Sequence, residues 1–308
     1  MGHSHDKTTM SETPYRCGFV AVVGRPNVGK STLINALIGS KVSIVSAKPQ
    51  TTRHRILALH TTASWQIVFV DTPGLHRKAG KAMNRLMNRT AVNALADADI
   101  ILFVSEARCW TEEDEDVLTR LKSCQSPVIA LLNKIDTVHP KSRLLEALDK
   151  MSRRYDFKEV IPISARNQDN LPVLMDILPN FLPQSDALFP PDMRTDRSVE
   201  FHAAEVIREK LTVLLRQELP YGLAVQIEDY RVDEAGVTIH AIIWVERDSQ
   251  KGIVVGKGGK ILKKVGRAAR EEIRDELKQA VHLELWVKVK DNWADSEKAL
   301  MQLGYESP

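Results

Sequence analysis

The segment Gly24-Arg25-Pro26-Asn27-Val28-Gly29-Lys30-Ser31 has the residue types and spacing of a phosphate grip. Glycines at both ends let the backbone curl until successive N–H groups point inward, where anionic oxygens can be held. Lys30 adds an ammonium for β- and γ-phosphates, and Ser31 a hydroxyl for Mg2+. An apolar run precedes the segment and a helical pattern follows it, the context such a loop requires.

Three further segments extend the site. Asp71-Thr72-Pro73-Gly74-Leu75 follows the apolar run Ile67 to Val70. Asp71 at that strand end can reach Mg2+ through water, and the Gly74 N–H can meet a γ-phosphate. Asn133-Lys134-Ile135-Asp136 closes another apolar run; the Asp136 carboxylate suits the paired donors of guanine, and the Lys134 stem can lie over the base. Ser164-Ala165 ends a third run, where a backbone N–H can face the guanine oxygen. GTP and GDP are the ligands this set selects. Between Lys48 and Arg53, Thr51 or Thr52 can bring a hydroxyl to the metal when γ-phosphate is present. The Mg2+ set is therefore Ser31, Thr52 and, through water, Asp71, with the choice between the two threonines left open.

The position after Asp-x-x-Gly is Leu75, which cannot polarise a water. Hydrolysis by such a site is expected to be slow unless a cation or partner completes it. Asn27, an amide beside the phosphates, is a candidate K+ ligand.

Strand-like runs at Gly18 to Val23, Trp65 to Val70, Ile100 to Val104, Val128 to Leu132 and Val160 to Ile163 alternate with helical patterns. That alternation predicts a mostly parallel α/β sheet with helices on both faces and ligands at the carboxyl ends of its strands. Pro179, Pro183, Pro190 and Pro191 then interrupt the pattern. Beyond them the order becomes α-β-β-α-α-β, an α+β module. The expected division is a disordered tail over 1–16, a nucleotide domain over 17–182, a linker over 183–196 and a second domain over 197–308.

The chain has 308 residues, 43% of them hydrophobic and 27% charged, with a net charge of +3. No apolar run approaches the ~18 residues that cross a bilayer. Three widely spaced cysteines suit free thiols rather than a disulfide scaffold. Composition thus excludes membrane-spanning, secreted, fibrous and disordered classes. The charge is uneven: Arg247 to Arg270 holds eight basic residues against Asp248 alone, an excess of +7 that points to a phosphate-rich partner.

Inside that stretch lies Ile253-Val254-Val255-Gly256-Lys257-Gly258-Gly259-Lys260-Ile261. Its G-x-x-G loop lets backbone approach a sugar-phosphate closely. Lys257, Lys260 and Lys263 neutralise phosphates, and Ile253, Val254 and Ile261 form an apolar wall for unstacked bases. Gly256, Gly258 and Gly259 complete the set. With this loop in an αββααβ order, the module reads as a type II KH domain, whose ligand is single-stranded RNA or DNA.

GRPNVGKS, QTTRHR, DTPGL and NKID, joined through a proline-containing linker to VVGKGGK, resemble the Era family of ribosome-associated GTPases. TDRS, HLELWVKVK and NWADSEKAL share the likeness, which covers about residues 17–306. The resemblance implies a GTP-hydrolysing switch that binds the 3′ end of 16S ribosomal RNA and assists 30S maturation. It also implies a cytoplasmic protein, in part peripheral to the inner membrane. Two alternatives stay open: a GTP- and RNA-binding module with incidental turnover, and a membrane-surface GTPase using the basic patch.

Other segments read as structural. His3 and His5 fall in the tail, and the acidic run Glu112 to Asp116 is expected to start a helix. His240 and His282 are expected as structural strand residues, and Trp244 and Trp286 as packing residues.

Overall fold

The computed structural model describes residues 14–46, 48, 51–74, 82–215 and 222–305. Leu75, His3, His5 and most of the expected tail lie outside the described residues. The chain builds two sheets. The first contains β1 (Arg16–Val23), β2 (Ile56–Thr61), β3 (Trp65–Asp71), β4 (Ile100–Glu106), β5 (Val128–Asn133) and β6 (Glu159–Pro162). Their order is β2-β3-β1-β4-β5-β6, parallel except for β2, which pairs antiparallel with β3.

The central strands are covered on both faces, so they read as unbroken apolar runs rather than alternating ones. Val20, Val22, Leu102 and Val104 pack toward α1 (Lys30–Ile38) and α5 (Leu171–Ile177). Ala21, Val23, Ile101 and Phe103 face α2 (Ala82–Ala96), α3 (Glu112–Leu121) and α4 (Ser142–Ser152). As expected, α3 begins at the acidic run. Thr111 and Asp114 form a reciprocal cap, and four acidic residues occupy its first turn.

Strand β2 is the element the sequence reading lacks. Ile56-Leu57-Ala58-Leu59 has no alternation to mark it, and its partner is an antiparallel neighbour that strand–helix alternation does not announce.

The second sheet joins β7 (Ala224–Asp233), β8 (Gly236–Val245) and β9 (Val281–Val289) in that order, antiparallel then parallel. Its inner positions, among them Ile239, Ala241 and Ile243, meet α6 (Val199–Leu214), α7 (Asp248–Val255) and α8 (Lys260–Leu277) through Val206, Leu211, Val254, Val265 and Ile273. This is the αββααβ order expected. The opposite face carries His240, Trp244, His282 and Trp286. Trp286 departs from its expected packing role: it is 41% exposed there, edge-on to His240 at 5.3 Å between ring centroids.

Contacts at both ends of the second domain bind the halves together. The segment over 183–196 contains no helix, but it is strapped to the first sheet. Gln66 Oε1 accepts from the N–H groups of Leu188 and Phe189 at 2.9 and 3.0 Å, and Leu59 N donates to Arg194 O at 2.9 Å. At the other end α9 (Glu297–Gln302) and the preceding turn bring Trp293, Leu300 and Tyr305 into one apolar cluster with Met83 and Met87 of α2. Among the described residues, no helix is long and apolar enough to cross a membrane.

Candidate nucleotide and nucleic-acid sites

The phosphate loop leaves β1 and enters α1 at Lys30. Gly29 has φ 104°, and a Cβ there would lie 2.4 Å from Asn133 Nδ2, so only glycine fits. Lys30 is 7% exposed, and its Nζ donates to the carbonyls of Gly24 and Arg25 at 3.0 Å each. Burial pushes its ammonium down to about 8, a value that anionic oxygens beside it would raise again. Arg25 is itself held from outside the loop: Nε donates to the fully buried Asp114 at 3.0 Å and Nη2 to Glu106 at 3.2 Å.

Beside Lys30, three oxygens converge from three elements. Ser31 Oγ lies 2.8 Å from Thr52 Oγ1 and donates to Asp71 Oδ2 at 2.9 Å. Asp71 is fully buried, its Oδ1 makes no hydrogen bond, and burial raises its carboxyl above the usual range. An all-oxygen donor set containing an enclosed, half-satisfied carboxylate fits a hard divalent cation such as Mg2+. The two threonines separate here. Thr51 Oγ1 bonds Ser46 Oγ and Lys48 O, both at 2.6 Å, so Thr52 is the one whose hydroxyl joins Ser31 and Asp71.

A cleft of about 270 Å³ opens above these residues, lined also by Pro26, Asn27, Gly74 and Lys134. Thr72 turns inward and donates to Val22 O at 2.9 Å. Pro73 and Gly74 follow it, and Gly74 packs against Pro26.

Loops after β5 and β6 close the far end. Asn133 does the tying: its Nδ2 donates to Val28 O at 2.7 Å, and its Oδ1 accepts from Ala165 N at 3.0 Å. Ser164 Oγ donates to Asp136 Oδ1 at 2.7 Å and so orients that carboxylate. Lys134 adopts φ 64°, and its Nζ meets Glu106 Oε2 at 3.0 Å. One expectation changes. The N–H groups of Ser164 and Ala165 are both spent inside the protein, on Asp169 O at 3.2 Å and on Asn133. In this arrangement they hold the loops together rather than offering a donor to a base oxygen. Glu106, which the motif reading omitted, joins both grips; its only sequence signal is its place at the end of β4.

In the second domain, Lys257, Gly258, Lys260 and Lys263 are exposed, and Ile253 is 51% exposed. Gly256 and Gly259 flank the loop tip with φ 71° and 75°. Val254 corrects the expected apolar wall: it is fully buried in the core of the second domain, where α7 packs on α8, β8 and β9, and it presents no surface to a ligand. Ile253 and the partly exposed Ile261 remain at the surface, and a second apolar surface lies beside the loop. A groove of about 580 Å³ runs between α8 and β9, lined by Leu262, Gly266, Leu283 and Leu285 and rimmed by Lys263, Arg267 and Arg270. Strand β9 is one edge of its sheet. The i, i+4 spacing of Leu262 and Gly266 and the alternation of Leu283 and Leu285 are the signals that locate it.

Comparison with known proteins agrees with both halves. The model of the 50S ribosome-binding GTPase family matches residues 19–134, and the KH domain model matches residues 218–294. GTPase Era of Yersinia enterocolitica is 48% identical over 290 residues, covering 94% of this chain and 96% of that protein, and GTPase Era of Yersinia pestis is equally similar. A crystal structure of Era with MgGDPNP and nucleotides 1506–1542 of 16S ribosomal RNA superposes with a TM-score of 0.91 at 39% identity, covering 94% of this chain and 99% of the other. A variant of Aquifex aeolicus Era bound to GDP and AlF4− gives 0.89 at 38% identity, with the same coverage. With similarity this high across nearly the whole length of both domains, the chain belongs to the Era family of GTPases.

Proposed function

We propose that this protein is a GTP-hydrolysing switch that binds the 3′ end of 16S ribosomal RNA and assists 30S subunit maturation. The nucleotide domain is assigned to 17–182, the connection to 183–196 and the RNA-binding domain to 197–308. The observation that carries the reading is the convergence of Ser31, Thr52 and Asp71 beside a buried Lys30 in a chain that also holds an open, basic-rimmed KH groove.

Ser31 and Thr52 would ligate Mg2+ directly and Asp71 through water; bound there, the ion would neutralise charge on the β- and γ-phosphate oxygens. Backbone N–H groups of the Gly24–Ser31 loop, Pro26 excepted, cradle the phosphates, and Lys30 supplies its ammonium to them. Arg25 holds the loop against α3. Asp136 takes the two donors of guanine, oriented by Ser164, while Asn133 keeps the base loops registered on Val28. Thr51 and Thr52 form the segment that responds to the γ-phosphate, with Asp71, Thr72, Pro73, Gly74 and Leu75 as its counterpart. Leu75 offers no proton acceptor, so turnover alone is slow. Asn27 is assigned to a K+ ion beside the phosphates, and hydrolysis should run faster in K+ than in Na+.

On the other domain, Lys257, Lys260 and Lys263 pair with phosphates, Gly256, Gly258 and Gly259 admit the backbone, and Ile253 flanks the loop. Any contact with the inner membrane would be peripheral, through these same exposed cations. The test is GTP hydrolysis with and without an oligonucleotide of the 16S 3′ end, with affinity for that RNA measured in parallel. Stimulated turnover and tight binding are expected, and Gly258→Asp should weaken RNA binding at least about tenfold by placing an anion at the phosphates. RNA that neither binds nor alters turnover would overturn the reading.

A further inference from the structure

The RNA-binding domain also reaches the metal position of the other domain through a single buried arginine. Arg208 on α6 is 2% exposed. Its Nε and Nη2 donate to the two carboxylate oxygens of Glu205, one helical turn earlier, at 2.7 and 2.6 Å. The same Nη2 donates to the main-chain carbonyl of Thr51. Thr51 O belongs to the peptide that leads into Thr52, whose hydroxyl lies 2.8 Å from Ser31 Oγ. A single peptide bond therefore joins the carbonyl that the α6 guanidinium holds to the residue whose side chain is assigned to the metal.

Everything around this contact fixes it in place. Glu205 occupies the guanidinium fork, so Arg208 cannot swing to another acceptor without leaving a carboxylate buried and unpaired. Neighbouring contacts hold the same loop to the same domain: Val45 N donates to Glu209 Oε1 at 2.9 Å, and Arg53 Nη1 to Leu223 O at 2.5 Å. Of these, Arg208 is the one on the peptide bond of the metal-facing threonine. The Thr51 side chain is engaged with Ser46 and Lys48, which leaves its carbonyl as the group α6 can hold.

We propose that Arg208 is a positioning residue for GTP binding and hydrolysis: by holding the Thr51 carbonyl, it keeps the Thr52 hydroxyl on Mg2+ when the γ-phosphate is present. The inference rests on the functional reading above. Its consequence is selective. A contact that only stapled two domains would affect GTP and GDP alike. A contact that positions Thr52 acts on the triphosphate state, since that is the state in which the threonine is drawn to the metal. The selectivity is a coupling free energy and is read as a change in affinity ratio.

The test measures Mg2+-dependent affinity for a non-hydrolysable GTP analogue and for GDP in the full chain, with wild type first. Wild type that binds neither would overturn the GTPase reading itself and this proposal with it. Given wild-type binding, Arg208→Met is expected to lower analogue affinity about five- to thirtyfold while changing GDP affinity less than twofold. The Mg2+ concentration for half-maximal turnover should rise in parallel, and Arg208→Lys should recover part of the loss. Thr52→Ala should cost little more in the Arg208→Met background than that substitution alone, because both remove one interaction. Should Arg208→Met fail to fold, Glu205→Met/Arg208→Met carries the same comparison without burying an unpaired charge. Equal losses for analogue and GDP, no loss for either, or fully additive costs of the two substitutions would each overturn the proposal.

Discussion

Glu106 and Lys134 form an ion pair, Oε2 to Nζ at 3.0 Å, that ties the Asn133–Asp136 loop to the end of β4. The same oxygen accepts from Arg25 of the phosphate loop at 3.2 Å. The Gly24–Ser31 and Asn133–Asp136 loops, proposed to hold phosphate and base, thus share one carboxylate. Glu106→Gln removes its charge from both and should weaken GTP and GDP equally, by about two- to fivefold, the worth of a partly exposed pair. Isothermal titration with each nucleotide checks this; unequal losses would mean that Glu106 senses the γ-phosphate.

Asp136 Oδ1 accepts from Ser164 Oγ at 2.7 Å, which restrains the carboxylate proposed to take the guanine donors. Asp136→Asn exchanges an acceptor pair for an acceptor and a donor. GTP affinity should fall at least about a hundredfold, and xanthosine triphosphate should become the better ligand. Competition binding between the two nucleotides reads the preference, and an unchanged choice of guanine would contradict the assignment.

The Lys30 ammonium, held down to about 8 by burial, titrates within reach of ordinary buffers. Phosphates against it restore the charged form, so nucleotide binding at pH 8 should take up about half a proton at this site, and almost none at about pH 6.5, where Lys30 is already charged. Calorimetry in buffers of different ionisation enthalpy measures the difference. For the nucleotide-free fold the sign follows from the depressed value. Charging a buried lysine opposes folding fully below pH 8, and that opposition fades as the pH climbs toward the unfolded value of 10.5.

His54 is stacked on Tyr305 at 4.5 Å and edge-on to Phe201 at 5.0 Å, where the two domains meet. Burial pushes its imidazole down to about 4 from 6.5. Between those values the unfolded chain takes up a proton that the folded one refuses, so stability falls as the pH drops through that window, by up to about 1.4 kcal/mol per unit from this group. Denaturant titrations at pH 7, 5.5 and 4.5 should show a loss that His54→Phe flattens.

The sequence alone was enough to mark the Gly24–Ser31 turn, Asp71 and the Asn133–Asp136 turn as segments gathered at the carboxyl edge of the first sheet, and to give the αββααβ order of the second domain. Each is a local device: its residues are close in the chain and its chemistry follows from their types and spacing. Continuous apolar runs announced the buried parallel strands for the same reason, since both faces of each strand had to be covered.

What required tertiary structure is what joins segments far apart. Thr51 and Thr52 are alike in sequence, and only the packing of Thr52 against Ser31 and Asp71 distinguishes them. Val254 reads as an apolar wall until α7 is packed onto α8 and the second sheet, which buries it. Glu106 and Arg208 carry no motif, because a side chain gains a role at a site only when another part of the fold delivers the site to it. Hydrogen bonds depend on distance in space, whereas motifs record distance along the chain, and the contacts between the two domains exist only in the first of these measures.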